Sequence, residues 1–375
     1  MHAASLAAAG VLMLSCAVAA AGPRGDTARL GLPEISAAAS RAQVDLGRRL
    51  FMDRRLSRNG TMSCGMCHVP EQGFAQNELA TSIGVEGRSL RRNAPSVLNS
   101  GFNQSYFHDG RARTLEEQAW GPLLAPDEMG NADRATVVGR VAALQDYPDA
   151  FRHAFGDAAV SEQRIGVALA AYQRSLVAGG SRFDRWYYGQ EEAAMSAEEK
   201  RGFVVFRGKA QCNACHELGR THALFTDEAF HNLGVGIPAA GPEQWLEVRL
   251  APGVTTRIPH ALVRSVSEPP RKDEGRFEVT GRPQDRAAYR TPTLRNVELT
   301  APYMHDGSFA TLREVVDFYD RGGNPNDNLD RLILPLYLSE QDKQDLVAFM
   351  RALTGANVDE LARQARAAAA QPATR

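Results

Sequence analysis

The sequence predicts an all-α protein made of two similar halves, and three observations support this fold class. An amphipathic helix over residues 35–51 leads directly into the motif CGMCH at residues 64–68. A second helix, which begins at Ser196, leads in the same way into CNACH at residues 212–216. No stretch has the sustained alternating pattern of a stable sheet.

Each motif has two cysteines separated by two residues and followed at once by a histidine, which is the attachment pattern of a c-type haem. The two thiols can add to the two vinyl groups of one porphyrin, and the adjacent histidine reaches the iron. Two complete copies argue against chance. Two zinc half-sites are the alternative, but a tetrahedral site needs four ligands in one place. The motifs therefore predict two covalent haems, held by Cys64, Cys67, His68, Cys212, Cys215 and His216.

Length and charge agree with two globular domains that do not bind nucleic acid. The chain has 375 residues, 43% hydrophobic residues and a formal net charge of −1. A near-neutral chain has no field of one sign to attract nucleic acid. We expect a hinge over residues 179–189 and predict four segments: a leader at 1–22, an N-terminal domain at 35–186, a C-terminal domain at 194–355 and a tail at 356–375 without a core to join.

The leader is rich in Ala, Leu and Val, which is typical of a secretory signal peptide. Export to the periplasm agrees with the haem motifs, because c-type haem is attached outside the bacterial cytoplasm. The run Leu14-Ser15-Cys16 leaves open a lipoprotein leader with a lipid anchor on Cys16. A transmembrane anchor is a further alternative. Four of the five cysteines belong to the motifs, so no structural disulfide is predicted.

Apolar periodicity predicts the remaining helices, at residues 114–120, 135–155, 161–177, 311–319 and 339–353. Thr114 is placed to cap the first of these. Two long stretches without a sustained period, residues 73–103 and 218–288, are predicted to be loops that cover the haems.

Two further stretches carry a family resemblance. One runs from Asp109-Gly110-Arg111 to Pro122, and the other from Thr291 to Gly307. Together with the haem motifs, they resemble bacterial di-haem cytochrome c peroxidases over about residues 35–355. The helix that ends in FYDRGG at 318–323 is more similar to the MauG-type branch and to di-haem enzymes associated with methanobactin operons. The resemblance implies two cytochrome c-like domains, with a peroxidatic haem in the first and an electron-transfer haem in the second.

The resemblance implies that the first haem has an open face. His68 would be the proximal ligand, and the loop between His68 and His108 lacks the histidine that fills the other position in many members. Gln118 and Glu128 match the family's distal pair, and Pro122 matches its pocket proline. Burial would raise the pKa of Glu128 and suit it to acid–base work. Without the flanking motif, Glu128 would be interpreted as a solvated loop carboxylate.

The second haem would have protein ligands on both faces. His216 is one ligand, and the resemblance to the MauG-type branch implies Tyr319 as the other. Ordinary family members use a methionine there. Tyr319 shares a helix face with apolar neighbours, so its ring is expected to point inward. A core tyrosine without a ligand role is the alternative, with Met304 and Met350 as rival ligands.

The region between the haems departs from the family pattern. The family commonly has a tryptophan at the position of His108. Trp120 is a possible substitute, although a haem-packing role fits it as well. His305 matches a family residue near the second haem, with a structural or proton-network role. The resemblance also implies a calcium ion bound by oxygen atoms of Asn93, Thr300 and Pro302.

These expectations imply a peroxidase that reduces hydrogen peroxide with electrons from a small periplasmic cytochrome c or a cupredoxin. The alternative is peroxide-dependent oxidation of a Trp or Tyr residue on a partner protein, which Tyr319 and the missing loop histidine favour. A simple electron carrier is disfavoured, because a carrier would fill both axial positions of each haem. A homodimer remains open.

Overall fold

A computed structural model of the protein describes residues 27–34, 39–237, 245–251, 254–259 and 273–369. The predicted leader, with Cys16, lies outside the described residues. The described α-helices, in chain order, are α1 Arg41–Met52, α2 Cys64–Cys67, α3 Leu115–Gln118, α4 Trp120–Leu124, α5 Arg134–Ala143, α6 Pro148–Phe155, α7 Glu162–Ser175, α8 Arg182–Tyr187, α9 Ala197–Arg207, α10 Phe277–Thr280, α11 Leu312–Asp320, α12 Glu340–Arg351 and α13 Val358–Ala369. The described strands are β1 Phe230–His231, β2 Trp245–Ala251, β3 Val254–Pro259 and β4 Tyr289–Arg290.

Many helices start where the sequence places a capping residue. In a capping box, a Ser or Thr side chain accepts a hydrogen bond from the backbone three residues on, and that residue's side chain bonds back. The helices α9, α11 and α12 begin at the predicted positions, and each starts with this box, at Ser196, Thr311 and Ser339. The helices α1 and α8 use the same arrangement, at Ser40 and Ser181.

Two predicted helices are each divided in the structure. The helix predicted over 135–155 becomes α5 and α6, because α5 ends before Leu144 and α6 begins at Pro148. Proline lacks the N–H that would continue a preceding helix, whereas its fixed φ suits the first helical position. The helix predicted over 114–120 becomes α3 and α4, with Thr114 as the cap of α3.

Two hydrophobic cores are built around similar helix pairs. In the first core, α1 packs on α7, and a Cβ added at Gly47 would lie 1.8 Å from the carbonyl oxygen of Ala168. In the second core, α9 packs on α12, and a Cβ at Gly202 would lie 1.9 Å from the carbonyl oxygen of Asp345. In both pairs, a glycine on the helix before the haem motif allows the partner backbone to approach closely.

The segment expected to be a hinge is packed, and residues 179–184 of it are mostly buried. It contains α8, whose Asp184 forms a bidentate ion pair with Arg295, at 2.9 Å for both contacts. Both side chains are almost fully buried, and Arg295 also donates to the carbonyl of Ala223 at 2.6 Å. Breaking a buried pair of this kind costs about 3–5 kcal/mol. The segment that connects the two cores is therefore held beside the second core by charge as well as by packing.

The tail prediction is wrong for the described part of residues 356–375. These residues form α13, whose Val358 and Ala365 are buried in the first core. Arg366 also pairs with Glu71, with N–O distances of 2.7 and 2.8 Å. Alanine has the highest helix propensity, and the small apolar stripe is enough to pack on a helix. The chain thus returns to its N-terminal half after completing the second core.

The described residues also contain two small antiparallel strand pairs that the sequence did not predict. The strand β2 pairs with β3 inside the stretch expected to be irregular. The strand β1 pairs with β4, with His231 opposite Tyr289. Among the described residues, none of the helices is long and apolar enough to cross a membrane.

Candidate active site

The first motif forms a single helical turn that ends on its histidine. The turn α2 holds Cys64 and Cys67, and the His68 N–H donates to the Cys64 carbonyl at 2.9 Å. Both cysteines are free of disulfides. Burial lowers the pKa of His68, which favours the neutral imidazole that binds metal. The backbone groups of Phe74 and Pro95 act on the pKa of His68 in the opposite direction to burial.

A cavity lies beside this turn. It is lined by both cysteines and His68. The structure brings three predicted distal residues, Gln118, Pro122 and Glu128, to the same cavity. The thiol pair and the imidazole are the donor set that a covalent haem requires, so the residues present fit that group.

Glu128 has the electrostatics of an acid–base group. Burial raises its pKa to about 7, while the positive charge of Arg111 acts in the opposite direction. Asp127 contributes a smaller upward shift. A carboxyl with a pKa near neutrality can both accept and donate a proton at physiological pH.

The backbone around Glu128 is held in place by a distant segment of the chain, at Gly84 and Val85. The Val85 N–H donates to the Glu128 carbonyl at 2.9 Å. Gly84 lies so close that a Cβ there would be 1.8 Å from the Asp127 carbonyl oxygen. The stretch predicted only as a haem-covering loop therefore positions the carboxylate.

Gln173 is a cavity residue that was missed from the sequence. It lies on α7, is 5% exposed and lines the same cavity as Glu128. The available signal was an amide placed among the apolar residues of a core helix, Ile165, Leu169, Tyr172 and Leu176. A buried polar side chain in such a stripe is unusual enough to indicate a pocket.

The second motif repeats the first turn, with a different covering. The His216 N–H donates to the Cys212 carbonyl at 2.9 Å. His216 Nδ1 bonds the Phe225 carbonyl at 2.9 Å, which leaves Nε2 available for a metal. Burial raises the pKa of the Tyr319 phenol, and the nearby thiols of Cys212 and Cys215 raise it further. Tyr319 is thus within electrostatic range of the attachment cysteines, whereas Met350 is part of the second core.

The comparisons with known proteins agree with this geometry. Residues 41–192 match the di-haem cytochrome c peroxidase family. The chain is 38% identical to the methylamine utilization protein MauG of Methylorubrum extorquens, over 83% of this chain and 78% of that protein. It is also 38% identical to the cytochrome-c peroxidase IdrP1 of a Pseudomonas species, over 84% and 81%. A crystal structure of a MauG-like protein associated with microbial copper homeostasis superposes with a TM-score of 0.72, at 33% identity, over 87% of this chain and 95% of that one.

The chain belongs to the di-haem cytochrome c peroxidase family. It is an oxidoreductase that acts on peroxide, and membership implies c-type haems. In this peroxidase, the cysteines and histidines of the two turns are the donor sets that fit those haems.

Between the two turns, the peroxidase has a cluster of neutral rings. His108 Nε2 bonds the Asn93 carbonyl at 3.0 Å, and the Asn93 N–H donates to the His305 carbonyl at 2.7 Å. Burial lowers the pKa of both histidines to about 4. The His305 ring stacks on Tyr289, with centroids 3.6 Å apart and planes 14° apart. Trp120, the possible substitute for the family's tryptophan, packs in the first core, close to Gly166 of α7.

The residues expected to bind calcium lie on connected segments. Asn93 is 8% exposed, and its side-chain nitrogen donates to the Ala80 carbonyl at 2.9 Å. Its backbone N–H bonds His305, at the end of the segment that carries Thr300 and Pro302. The Asn93 nitrogen is thus occupied by a carbonyl, and its side-chain oxygen is the atom suited to a hard cation.

A charged histidine beside the second motif was also missed from the sequence. His231 is held between Asp227, at 2.9 Å, and Asp330, at 2.6 Å. Its interaction with Cys215 and the hydrogen bonds that it donates to the Asp330 and Asp227 carboxylates raise the pKa of His231 to about 10, against the lowering effect of burial. The donor atoms of Cys215, Asp227 and His231 lie within 4.8 Å of one another. Since Cys215 belongs to the haem motif, we interpret the group as an ion-pair cluster at the edge of the haem site.

Proposed function

We propose that this peroxidase reduces hydrogen peroxide at an open N-terminal haem, with electrons relayed through the C-terminal haem. The observation that carries the proposal is the cavity that His68 shares with Glu128, whose pKa is near neutrality. Peroxide chemistry requires an acid–base group at the site, whereas electron transfer alone does not.

The residues over the first turn divide the work on peroxide. Haem bound by Cys64, Cys67 and His68 supplies the metal that accepts peroxide and exchanges electrons with it. Glu128 takes the proton from one peroxide oxygen and delivers it to the other, which leaves as water. The Gln118 amide donates a hydrogen bond but cannot shuttle a proton. Two electrons and two protons convert one peroxide into two waters.

We further propose His216 and Tyr319 as the ligands of the second haem. The burial of Tyr319 within electrostatic range of both attachment cysteines supports this assignment. A phenolate oxygen favours oxidised iron, whereas a thioether from Met304 or Met350 would raise the potential. A low potential suits a site that stores an oxidising equivalent.

The same proposal includes the electron donor, the cellular location of the enzyme and a calcium site. We propose a small periplasmic cytochrome c or cupredoxin as the donor, in keeping with the secretory leader predicted for residues 1–22. Calcium bound at Asn93, Thr300 and Pro302 would tie the segments between the two haems. Removal of calcium by a chelator should then weaken electron transfer between the haems while both remain attached.

The second candidate function is peroxide-dependent oxidation of a Trp or Tyr residue on a partner protein. The tyrosine beside the second motif favours it, as does the similarity to MauG proteins and a MauG-like structure. In this case, the oxidising equivalents leave through a protein substrate and no small donor is needed.

One experiment separates the two functions. Purified holoenzyme receives peroxide together with either a reduced small c-type cytochrome or proteins encoded beside it in the genome. Catalytic oxidation of the cytochrome, followed by absorbance, would support peroxide reduction. The alternative would be supported if mass spectrometry detected added oxygen or a cross-link on one of the proteins encoded beside it in the genome, while the cytochrome stayed reduced.

A further inference from the structure

The loop that follows each haem histidine has a similar backbone form. One loop spans residues 69–75 and the other spans residues 217–225, and we name them the first and second proximal loops. Each contains a fully buried phenylalanine with a positive φ, which is +55° at Phe74 and +54° at Phe225. The Phe225 carbonyl bonds His216 Nδ1 at 2.9 Å. Because a partner on the second ring nitrogen orients a metal-binding histidine, the position of each proximal loop matters to its haem.

Hydrogen bonds inside the first proximal loop close it directly after His68. The Val69 N–H donates to the Ala75 carbonyl at 2.8 Å, and the Phe74 N–H donates to the Val69 carbonyl at 2.9 Å. The Phe74 backbone is also close enough to act on the pKa of His68. A displacement of this closed loop is therefore transmitted to the haem histidine that precedes it.

The helix α13 holds the first proximal loop, although it follows the second core in the sequence. Leu353 belongs to the second core, and the chain then enters the first core at Val358. The helix packs on residues 70–72 of the loop. Arg366 forms a bidentate ion pair with Glu71, with N–O distances of 2.7 and 2.8 Å. This contact lies only three residues after the first haem histidine.

The segment 27–34 makes the reciprocal contact, because it precedes the first core in the sequence and holds the second proximal loop. The Gly31 carbonyl accepts from the Ala223 N–H at 3.1 Å and from the Arg295 guanidinium. Arg295 also donates to the Ala223 carbonyl at 2.6 Å, and its buried ion pair with Asp184 fixes its position. Gly31 has a φ of +77°, and an added Cβ would lie 1.9 Å from Asp184 Oδ1. Glycine is therefore required where this segment crosses the pair.

We propose that these two segments are reciprocal positioning elements for the haem histidines. The segment 27–34 positions His216 through the second proximal loop, and α13 positions His68 through the first. The orientation of a ligating histidine affects its basicity, and hence the reduction potential of the iron. Each haem is thus tuned by a segment that is adjacent in sequence to the other core. The inference rests on the proposed function for the assignment of both histidines as haem ligands.

Charge reversal in the holoenzyme tests α13. Arg366→Glu sets two carboxylates against each other and should push the helix away from the first proximal loop. In electron paramagnetic resonance, the high-spin signal expected of the open first haem should change shape, while the low-spin signal stays as in the parent. The double variant Arg366→Glu/Glu71→Arg restores the attraction and should restore the signal. Arg363→Glu is the matched control and should change neither signal, because Arg363 pairs with Glu360 of the same helix, at 2.7 Å.

The segment 27–34 is tested at Gly31. Gly31→Ala should change the low-spin signal expected of the second haem and leave the high-spin signal unchanged. Leu32→Ala removes packing against Gly179 without adding a clash, and it is a milder variant with the same expected result. Gly281→Ala is the control, since Gly281 also has a positive φ, +66°, but no atom within 4 Å of an added Cβ. Haem absorbance confirms that both haems are attached in every variant, and a redox titration of the same samples measures both potentials.

The crossed pattern distinguishes positioning from a general loss of stability. The inference is overturned if Arg366→Glu leaves the first haem unchanged, if Gly31→Ala and Leu32→Ala leave the second unchanged, or if these variants disturb both haems equally. Two low-spin signals in the parent would instead contradict the open first haem of the proposed function. The titration would then decide the inference, which requires each variant to shift one potential and leave the other unchanged.

Discussion

The two haem sites share the same support and differ in what covers them. Each is preceded by a helix whose glycine, Gly47 or Gly202, lies on the backbone of a partner helix. Each histidine N–H then donates to the first cysteine carbonyl at 2.9 Å. Over the first turn lies a cavity with Glu128, whereas the second turn has Tyr319 beside both of its cysteines. The haem-attachment turn and its supporting helix pair thus occur twice. The residues that give each haem site its own chemistry come from segments that are not repeated.

The difference suits the first site to proton transfer and the second site to electron transfer. Glu128, with a pKa near neutrality, exchanges protons at ordinary pH, whereas the raised pKa of Tyr319 keeps its phenol protonated unless a metal replaces the proton. The following predictions are ordered from the largest expected effect to the smallest, and each tests one side of this contrast.

The largest effect is expected at Glu128. Glu128→Gln should bind both haems normally but react with peroxide about 10²–10⁴-fold more slowly, which is the usual cost of losing a general acid–base group. Stopped-flow absorbance after mixing ferric enzyme with peroxide measures the rate. Asp127→Asn, one residue away in the same loop, is the matched control and should react within a few-fold of the parent. A similarly fast Glu128→Gln would mean that the proton travels another way, with His108 the next residue to test.

The reaction with peroxide should also depend on pH through Glu128. The pKa of this group is about 7, and the step that accepts a proton needs the carboxylate. Below that pKa the carboxylate fraction falls about tenfold per pH unit, so the rate should fall by the same factor and should level off above pH 8. The dependence should vanish in Glu128→Gln. A rate that rises toward low pH would contradict the assignment of Glu128 as the base.

Much of this support was predictable from the sequence, because haem attachment and helix capping are local patterns. The motifs at 64–68 and 212–216 and the caps Ser196, Thr311 and Ser339 each involve residues within a few positions of one another. Contacts between distant segments were not predictable. The clamp of Gly84 on Asp127 and the Asp227–His231–Asp330 cluster join residues far apart in the chain. The helix α13 was missed because its buried face is mainly alanine, which periodicity does not distinguish from a polar-rich tail.

The resting spin states should differ between the sites. We expect one high-spin and one low-spin ferric haem by electron paramagnetic resonance, since two protein ligands are proposed only for the second haem. Tyr319→Phe should change the low-spin signal, leave both haems attached and leave the high-spin signal intact. Met304→Leu is the comparison variant and should change neither signal. Two low-spin haems in the parent, or a change with Met304→Leu alone, would contradict this ligand assignment.

The smallest effects should come from the shared support. At Gly47 and Gly202, an added Cβ would lie 1.8 and 1.9 Å from a carbonyl oxygen of the partner helix, so the helices must move apart. Overpacking of this kind costs about 1–3 kcal/mol, which is at most a few degrees of melting temperature in a chain of this length. Gly139, inside α5, has no atom within 4 Å of an added Cβ. Gly139→Ala should therefore stabilise slightly, by about 0.5–1 kcal/mol, because alanine favours the helix.

The three alanine variants are compared by thermal unfolding, monitored by circular dichroism. Electron paramagnetic resonance spectra show which haem each variant disturbs. Gly47→Ala should perturb the high-spin signal alone, and Gly202→Ala the low-spin signal alone. Each glycine lies on the helix that leads into one haem motif, and each helix pair belongs to a separate hydrophobic core. If either variant disturbed both signals equally, the two supports would be mechanically coupled. The buried pair of Asp184 with Arg295, which anchors the segment between the two cores, would then be the first contact to examine.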